Sequence, residues 1–261
     1  MSNNLLLAAP RRRLDGLPAT GSLVTILEAR ADRLWTDSTL ATPVTADGDP
    51  AGAWRDTAGA TQLWAESGSR RPVWRPGGMV GGRDAVEFEA AGLDRLAPLT
   101  TVPTSSGPRS VLVEFELTTA LTSGQYAYVY ATGDGVSGGG ILWLHNGGGG
   151  QSFSVRSTGT GTTVGCGGTS GAGLPSTGTR CLFTFSFDGV DAGATSSYAM
   201  RINGSPQSLA ASFSSSVVTW GLGSDPSLTF PYTTPMKLRR LLIWNVALTA
   251  SQLAAAEAYC T

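Results

Sequence analysis

From Gly81 onward, apolar and polar residues alternate with a period of two, the pattern of strands with one covered face. In "DAVEFE", Val86 and Phe88 share a side. In "SVLVEFEL" (110–117), Val111, Val113, Phe115 and Leu117 point inward, leaving Glu114 and Glu116 on a solvated face. "QYAYVYA" stacks Tyr126, Tyr128 and Tyr130, and "TRCLFTFSF" aligns Cys181, Phe183, Phe185 and Phe187. "YAMRINGSPQSL" groups Tyr198, Met200 and Ile202, then offers Asn203-Gly204, a strong hairpin signal. Glycine-rich loops separate these runs, the longest covering 157–179. Many short alternating strands divided by turn signals predict an all-β fold, an antiparallel jelly-roll sandwich.

The alternation stops at Leu241, Leu242, Ile243 and Trp244, four apolar residues in a row, so both faces of that strand need cover. A short C-terminal helix follows directly. Thr249 and Gln252 have capping-box spacing, and Leu248 and Leu253 flank the cap as a hydrophobic staple. Ala254, Ala255 and Ala256 add helix propensity. A helix of about ten residues is marginal alone. It is therefore predicted to pack on the last strand, covering the face turned away from the core.

The first stretch, 1–22, shows no sustained periodicity and carries Arg11, Arg12 and Arg13 together. It reads as an N-terminal arm with an anchoring role, leaving 23–261 as one domain. Charged residues make up only 14%, against a usual ~25%. Glycine contributes 35 of 261 residues, well above the usual ~7%. With a net charge of −1 there is no basic field for nucleic acid. No segment approaches the ~18 apolar residues of a membrane span, so no membrane insertion is expected. Leu5 to Ala9 are apolar but their charges follow them, which is not the order of an export signal. Cys166, Cys181 and Cys260 form no CxxC pair. Cys181 occupies an inward strand position and reads as a buried thiol, with pairing to Cys166 left open.

Four kinds of chemistry are open to residues of this chain. Glu114 with Glu116, and Glu87 with Glu89, each offer a carboxylate pair of the kind glycoside hydrolysis needs. "GVSGG" (135–139) and "GDGVSG" (133–138) match nucleophile and dinucleotide patterns, but both require a strand-to-helix turn, and the "ILWLH" that follows alternates as a strand. His145 is the sole histidine, so a triad has no evident base elsewhere. These features predict no enzyme and no cofactor. Asp47 and Asp49 in "TADGDP", with Asp56 behind, could begin a calcium site. An aspartate-glycine turn is the favoured reading, and no metal is expected. The remaining candidate is a sugar site in "GILWLHNGGGG". Trp143 offers a flat apolar surface for a pyranose ring, while His145 and Asn146 offer hydrogen bonds. The tyrosines of "QYAYVYA" line the neighbouring strand; the competing reading makes Trp143 ordinary core.

Several runs resemble a known family. The final strand, Asn245 and "ALTASQLAAAEAY" resemble the C-terminal "N-x-A-L-[ST]-x-x-E" signature of LamG-like, concanavalin A-like lectin/glucanase domains, with Gln252 in place of the acid. "RINGSPQSL" is similar to the family's "x-V-N-G" hairpin. "LWTDSTLATPVTADGDPAGAWRDTAG" (34–59), "RRPVW" (70–74) and "GGRDAVEFEAAGLDRL" (81–96) resemble the opening of such domains in bacteriophage and prophage structural proteins. There a double-aspartate step is usual; here Glu89 stands for the first acid and Asp94 alone remains of the step. Sandwich glucanases of this kind carry an E-x-D-x-E strand, whereas Phe115 and Phe88 hold the middle positions here. The resemblance implies a non-enzymatic virion structural protein: a capsid decoration, head fibre or spike, or a tail part. It would be assembled in the host cytoplasm and exposed on the particle. Its partners would be other virion proteins, bound through the arm, further copies of itself in a homo-oligomer such as a trimer, and a host-surface glycan. The alternative is a secreted carbohydrate-active enzyme or bacterial adhesin, for which an export signal and an acid pair were expected.

Overall fold

A computed structural model describes residues 16–58, 63–65, 70–89, 94, 96–98, 107–121, 125–132, 140–147, 150–156, 162–167, 175–190, 194–213, 221–222 and 235–261. The alternating runs form strands. In chain order these are β1 (Leu23–Glu28), β2 (Leu34–Trp35), β3 (Ala53–Arg55), β4 (Leu63–Ala65), β5 (Val73–Met79) and β6 (Arg83–Phe88). Then come β7 (Ala97–Pro98), β8 (Arg109–Leu117), β9 (Gln125–Thr132), β10 (Gly140–Gly147), β11 (Gly150–Arg156) and β12 (Thr162–Gly167). The last are β13 (Arg180–Phe187), β14 (Tyr198–Ile202), β15 (Ser205–Pro206), β16 (Ala210–Phe213), β17 (Gly221–Leu222) and β18 (Met236–Trp244), followed by helix α1 (Ala250–Tyr259).

Among the described residues, all strand pairings are antiparallel and make three sheets. The eight-stranded sheet runs β15-β14-β13-β8-β18-β6-β5, with β1 paired to β18 beside β6. The six-stranded sheet runs β16-β12-β11-β10-β9-β17, and a smaller one runs β2-β3-β4-β7. The two larger sheets pack face to face as a β-sandwich. Phe183 of β13 stacks on Phe153 of β11 with ring centroids 5.1 Å apart and planes 4° from parallel. Val111, Val113 and Phe115 of β8, Phe185 of β13, Leu241 and Ile243 of β18, and Val155 of β11 complete this core. Trp54 and Leu34 of the small sheet join it. The Asn203-Gly204 turn connects β14 to β15, and both residues take positive φ, the geometry a two-residue hairpin turn requires.

The final strand has cover on both sides. Leu241 and Ile243 face the sandwich core, while Leu242 and Trp244 belong to a second apolar cluster with Leu112, Leu182, Leu248, Leu253, Ala256 and Cys260. Helix α1 supplies Leu253, Ala256 and Cys260 of that cluster. Its capping box is complete: Thr249 Oγ1 accepts from Gln252 N, and Gln252 Oε1 accepts from Thr249 N at 2.9 Å. Glu257 ties the helix to the sheet by accepting from Thr184 Oγ1 at 2.7 Å and Arg201 Nε at 2.9 Å. Its hydrophobic stripe alone would not hold ten residues helical, and the sheet beneath supplies the rest.

Of the stretch 1–22 that reads as an arm, 1–15, including Arg11, Arg12 and Arg13, lies outside the described residues. The remainder packs on the domain. Leu17 is buried in the second cluster, and Trp244 Nε1 donates to Pro18 O at 2.9 Å. Glu114 and Glu116 do point away from the core, but they are not solvated: they are 0% and 6% exposed. What covers them is described next.

Candidate functional site

Two regions collect polar residues on the outer faces of the two large sheets. The first is the β9-β10-β11 portion of the six-stranded sheet, which carries Trp143, His145 and Asn146. The register pairs Leu144 with Phe153 and Leu142 with Val155, both of which are fully buried in the core. Positions 142 and 144 therefore share the core row, and positions 143 and 145 fall on the sheet's other face. On that row Trp143 pairs with Ser154 and Tyr128, and His145 pairs with Ser152 and Tyr126. The strands thus bring two of the three sequence-predicted residues into one row with two tyrosines and two serines. Asn146 falls one position on, in the alternate row, between Gln125 and Gln151.

Tyr130 leaves the tyrosine row. A register shift between Leu142 and Trp143 sets it opposite Leu142 rather than on the Trp143 row. Simple alternation along "QYAYVYA" put all three tyrosines together. The extra residue of a β-bulge breaks that count, and bulges carry no compositional signal strong enough to see beforehand.

The second region was not anticipated. On the outer face of the eight-stranded sheet, Glu114 of β8 is ringed by guanidinium groups. Arg83 Nη1 donates to its Oε1 at 2.9 Å and Arg180 Nε to the same oxygen at 2.8 Å. Arg240 Nη1 lies 3.4 Å and Arg239 Nε 3.7 Å from Oε2. Arg240 also pairs with Glu28 at 3.0 Å. The strands explain the convergence: Arg240 is directly opposite Glu114 in the β8–β18 ladder, while β13 contributes Arg180 and β6 contributes Arg83. Arg239 arrives by a different route. The ladder passes from Leu238↔Phe115 to Arg240↔Glu114, so Arg239 is the bulged residue and two consecutive arginines address one carboxylate. Burial holds the Arg239 guanidinium below its usual pKa; Glu114 opposes that, and Arg240 and Arg83 reinforce it.

The neighbouring groups frame this cluster. The β5–β6 turn folds over it, with Val80 N donating to Glu116 Oε2 at 2.9 Å and Lys237 Nζ to Gly78 O at 2.6 Å. The end of α1 closes the other side: Arg180 Nη2 donates to Cys260 O and Arg83 Nη2 to Thr261 O. Cations at a helix C-terminus meet its unpaired carbonyls and the negative end of its dipole. The only sequence sign of all this was the pair Arg239-Arg240 ahead of an apolar run.

The other candidate acids each have a partner already. Glu87 pairs with Arg75, and Phe88 and Phe115, which separate the two glutamate pairs, are core residues. Asp49 Oδ2 accepts from Thr45 N and Ala46 N, which hold its carboxyl below the usual carboxylate range, as an aspartate turn does. Asp47 lies 3.5 Å from Arg75, and buried Asp56 accepts from Ile26 N and Ala58 N. Asp94 Oδ2 accepts from Glu89 N at 2.8 Å, at the step where the resemblance places two acids. Burial, with Glu89 and Glu87 near, pushes its carboxyl up to about 6, against the pull of the Glu89 amide.

No protein-family model matches the chain, and no curated protein sequence matches it. Solved structures share its fold. The binding domain of Paraclostridial Mosquitocidal Protein 1 superposes with a TM-score of 0.59 at 10% identity, covering 92% of this chain and 53% of that one. The receptor binding domain of botulinum neurotoxin type G gives 0.56 at 10% identity, over 92% and 52%. A mutant Trypanosoma rangeli sialidase displaying trans-sialidase activity gives 0.52 at 10% identity, over 91% and 33%. The chain thus spans about half the length of the two binding domains and a third of the sialidase.

These likenesses correct one expectation from the sequence. The missing E-x-D-x-E strand and the lack of a triad were read as meaning no enzyme. The shared fold includes a sialidase alongside binding domains, so that exclusion does not stand. Its weakness was physical: motif absence tests two mechanisms, while a sandwich can carry many.

Proposed function

We propose that this chain is a carbohydrate-binding β-sandwich domain of a bacteriophage virion structural protein, displayed on the particle to engage host-surface glycans. The observation that carries the binding part is the strand register, in which Trp143 and His145 share a row with Tyr126, Tyr128, Ser152 and Ser154 on the face away from the core. A flat aromatic row edged by hydroxyl and imidazole groups suits a sugar, whose ring faces are apolar and whose rim is polar. Asn146, one position on in β10, falls in the alternate row and is not part of this site. The fold shared with the neurotoxin receptor binding domain supports a surface-recognition role.

The virion setting draws its support from the phage-like run over 34–59 and 81–96. In this reading residues 1–22, with Arg11, Arg12 and Arg13, anchor the subunit to other capsid or tail proteins, and the subunits assemble as a homo-oligomer, a trimer.

Calorimetric titration of a broad oligosaccharide panel against wild type and Trp143→Ala tests the binding reading. Binding by wild type, weakened about tenfold or more in the variant, is the expected result, since loss of one stacking aromatic removes about 1–2 kcal/mol. Silence across the panel, or equal affinity in both proteins, would overturn it. Truncating residues 1–15 should abolish particle incorporation while leaving a folded domain. Full incorporation would defeat the anchoring role.

A further inference from the structure

The cluster around Glu114 holds more positive charge than its acids answer. Four guanidinium groups, from Arg83, Arg180, Arg239 and Arg240, meet two carboxylates, those of Glu114 and Glu28. Glu116 lies next along β8 but is used by the Val80 amide, and Lys237 directly opposite it balances its charge. Arg180 Nη2 and Arg83 Nη2 also donate to Cys260 O and Thr261 O. Among these side chains, the positive charges exceed the negative ones by two.

Arg239 is the least satisfied member. Its Nη1 is buried and has no hydrogen-bond partner among the described residues, and its Nε is 3.7 Å from Glu114, beyond hydrogen-bond reach. A guanidinium enclosed in this way costs free energy unless a partner completes it. The chain spends a β-bulge to put it there, and bulges commonly re-aim a side chain beside a functional site. Nor is the cluster sealed. The side chains of Arg83, Arg180 and Arg239 keep 25%, 22% and 23% of their surface exposed, and all three lie within 3.7 Å of one carboxylate.

We infer that Arg83, Arg180 and Arg239 form an oxyanion-binding site that takes one phosphate or sulfate group. Guanidinium forks match such oxygens in pairs, and three forks around one carboxylate leave donors free for a second anion. The group is either a free ion or an ester on an acidic glycan. This site lies on the opposite outer face of the sandwich from the Trp143 row and does not depend on it.

Calorimetry with sodium phosphate, sodium sulfate and a sulfated heparin disaccharide, at ionic strength held constant with chloride, tests the inference. Saturable one-site binding by wild type is expected, with Arg239→Gln weakening it at least tenfold. Tighter binding of the disaccharide than of either free ion would assign the glycan ester; equal or weaker binding would assign the free ion. Should Arg239→Gln fail to fold, Arg83→Gln on the exposed side of the cluster carries the same comparison, with the same expected loss. No saturable heat in wild type, or unchanged affinity in the folded variant, would overturn the site. Loss of Trp143 should leave these titrations unchanged, so failure here and failure of the glycan row are told apart.

Discussion

The outer face of the eight-stranded sheet holds two different surfaces side by side. Toward α1 it is apolar: Leu112, Leu182, Leu242 and Trp244 lie under Leu253 and Ala256. Toward the β5–β6 turn, the same three strands carry Glu114, Arg180 and Arg240, and the cover is made of guanidinium groups and main-chain carbonyls. The change occurs within one step along β8, from Leu112 to Glu114, and along β18, from Leu242 to Arg240. Glu114 and Arg240 are as buried as Leu112 and Leu242. Burial alone therefore says little about what holds a face together. In one half, cover removes apolar area from water; in the other, each charge must find its opposite.

Removing the cover should have the largest effect. Truncation after Leu248 uncovers Leu112, Leu182, Leu242 and Trp244 at once, and each large side chain is worth about 1.5–3 kcal/mol of burial. It also strips Arg83 and Arg180 of their carbonyl partners. The expected outcome is insoluble protein, or loss of a cooperative thermal transition. A soluble truncated protein with an unchanged melting curve would show that α1 is ornamental to the apolar half.

Glu114→Gln addresses the ionic half alone. The amide keeps the shape but leaves four arginines without their shared charge. Breaking a buried ion cluster from one side costs about 3–5 kcal/mol, or roughly 10 °C in melting temperature for a domain of this size. A change under about 2 °C would mean the arginines are solvated well enough to stand without it.

Asp94 gives the converse case, a buried acid with two other acids near and no ion-pair partner among the described residues. Its carboxyl is raised to about 6 from the ordinary 3.8 of the unfolded chain. Its stabilising contribution is thus fully present below about pH 3.8 and is lost as pH rises through 6. Asp94→Asn keeps an oxygen for the Glu89 amide and removes the charge. The variant should be more stable than wild type by about 1–2 kcal/mol at pH 8, with the gap closing below pH 4. Chemical denaturation at the two pH values measures this, and a gap that does not close would assign the effect to something other than ionisation.

The two halves also differed in how far they could be read from the chain. Strands, the sandwich and the double cover of β18 followed from period-two alternation, its failure at 241–244, and a capping box whose chemistry is local. Those signals lie within ten residues of one another. The ionic half depends on side chains from β6, β8, β13 and β18 meeting at one carboxylate, and on a bulge that adds Arg239. Alternation put Glu114 outward correctly but could not say that outward meant covered. For the Trp143 row, alternation grouped Trp143 with His145, while the tyrosines needed the β9–β10 register, where another bulge detaches Tyr130.

The smallest expected effect separates the halves most cleanly. Thr249 caps α1 at its start, next to the apolar half, while the helix's far end meets the arginines. Thr249→Ala removes the oxygen that accepts from Gln252 N and should cost about 1 kcal/mol, a fall of about 2–4 °C in melting temperature. Fraying begins where the cap is lost and is checked at Leu253, the first helical residue anchored in the second cluster. The carbonyls of Cys260 and Thr261 should therefore keep their hold on Arg180 and Arg83, and titration with phosphate should give the wild-type affinity. A fall in both stability and phosphate affinity would mean that α1 moves as one rigid piece and that the two surfaces are coupled through it.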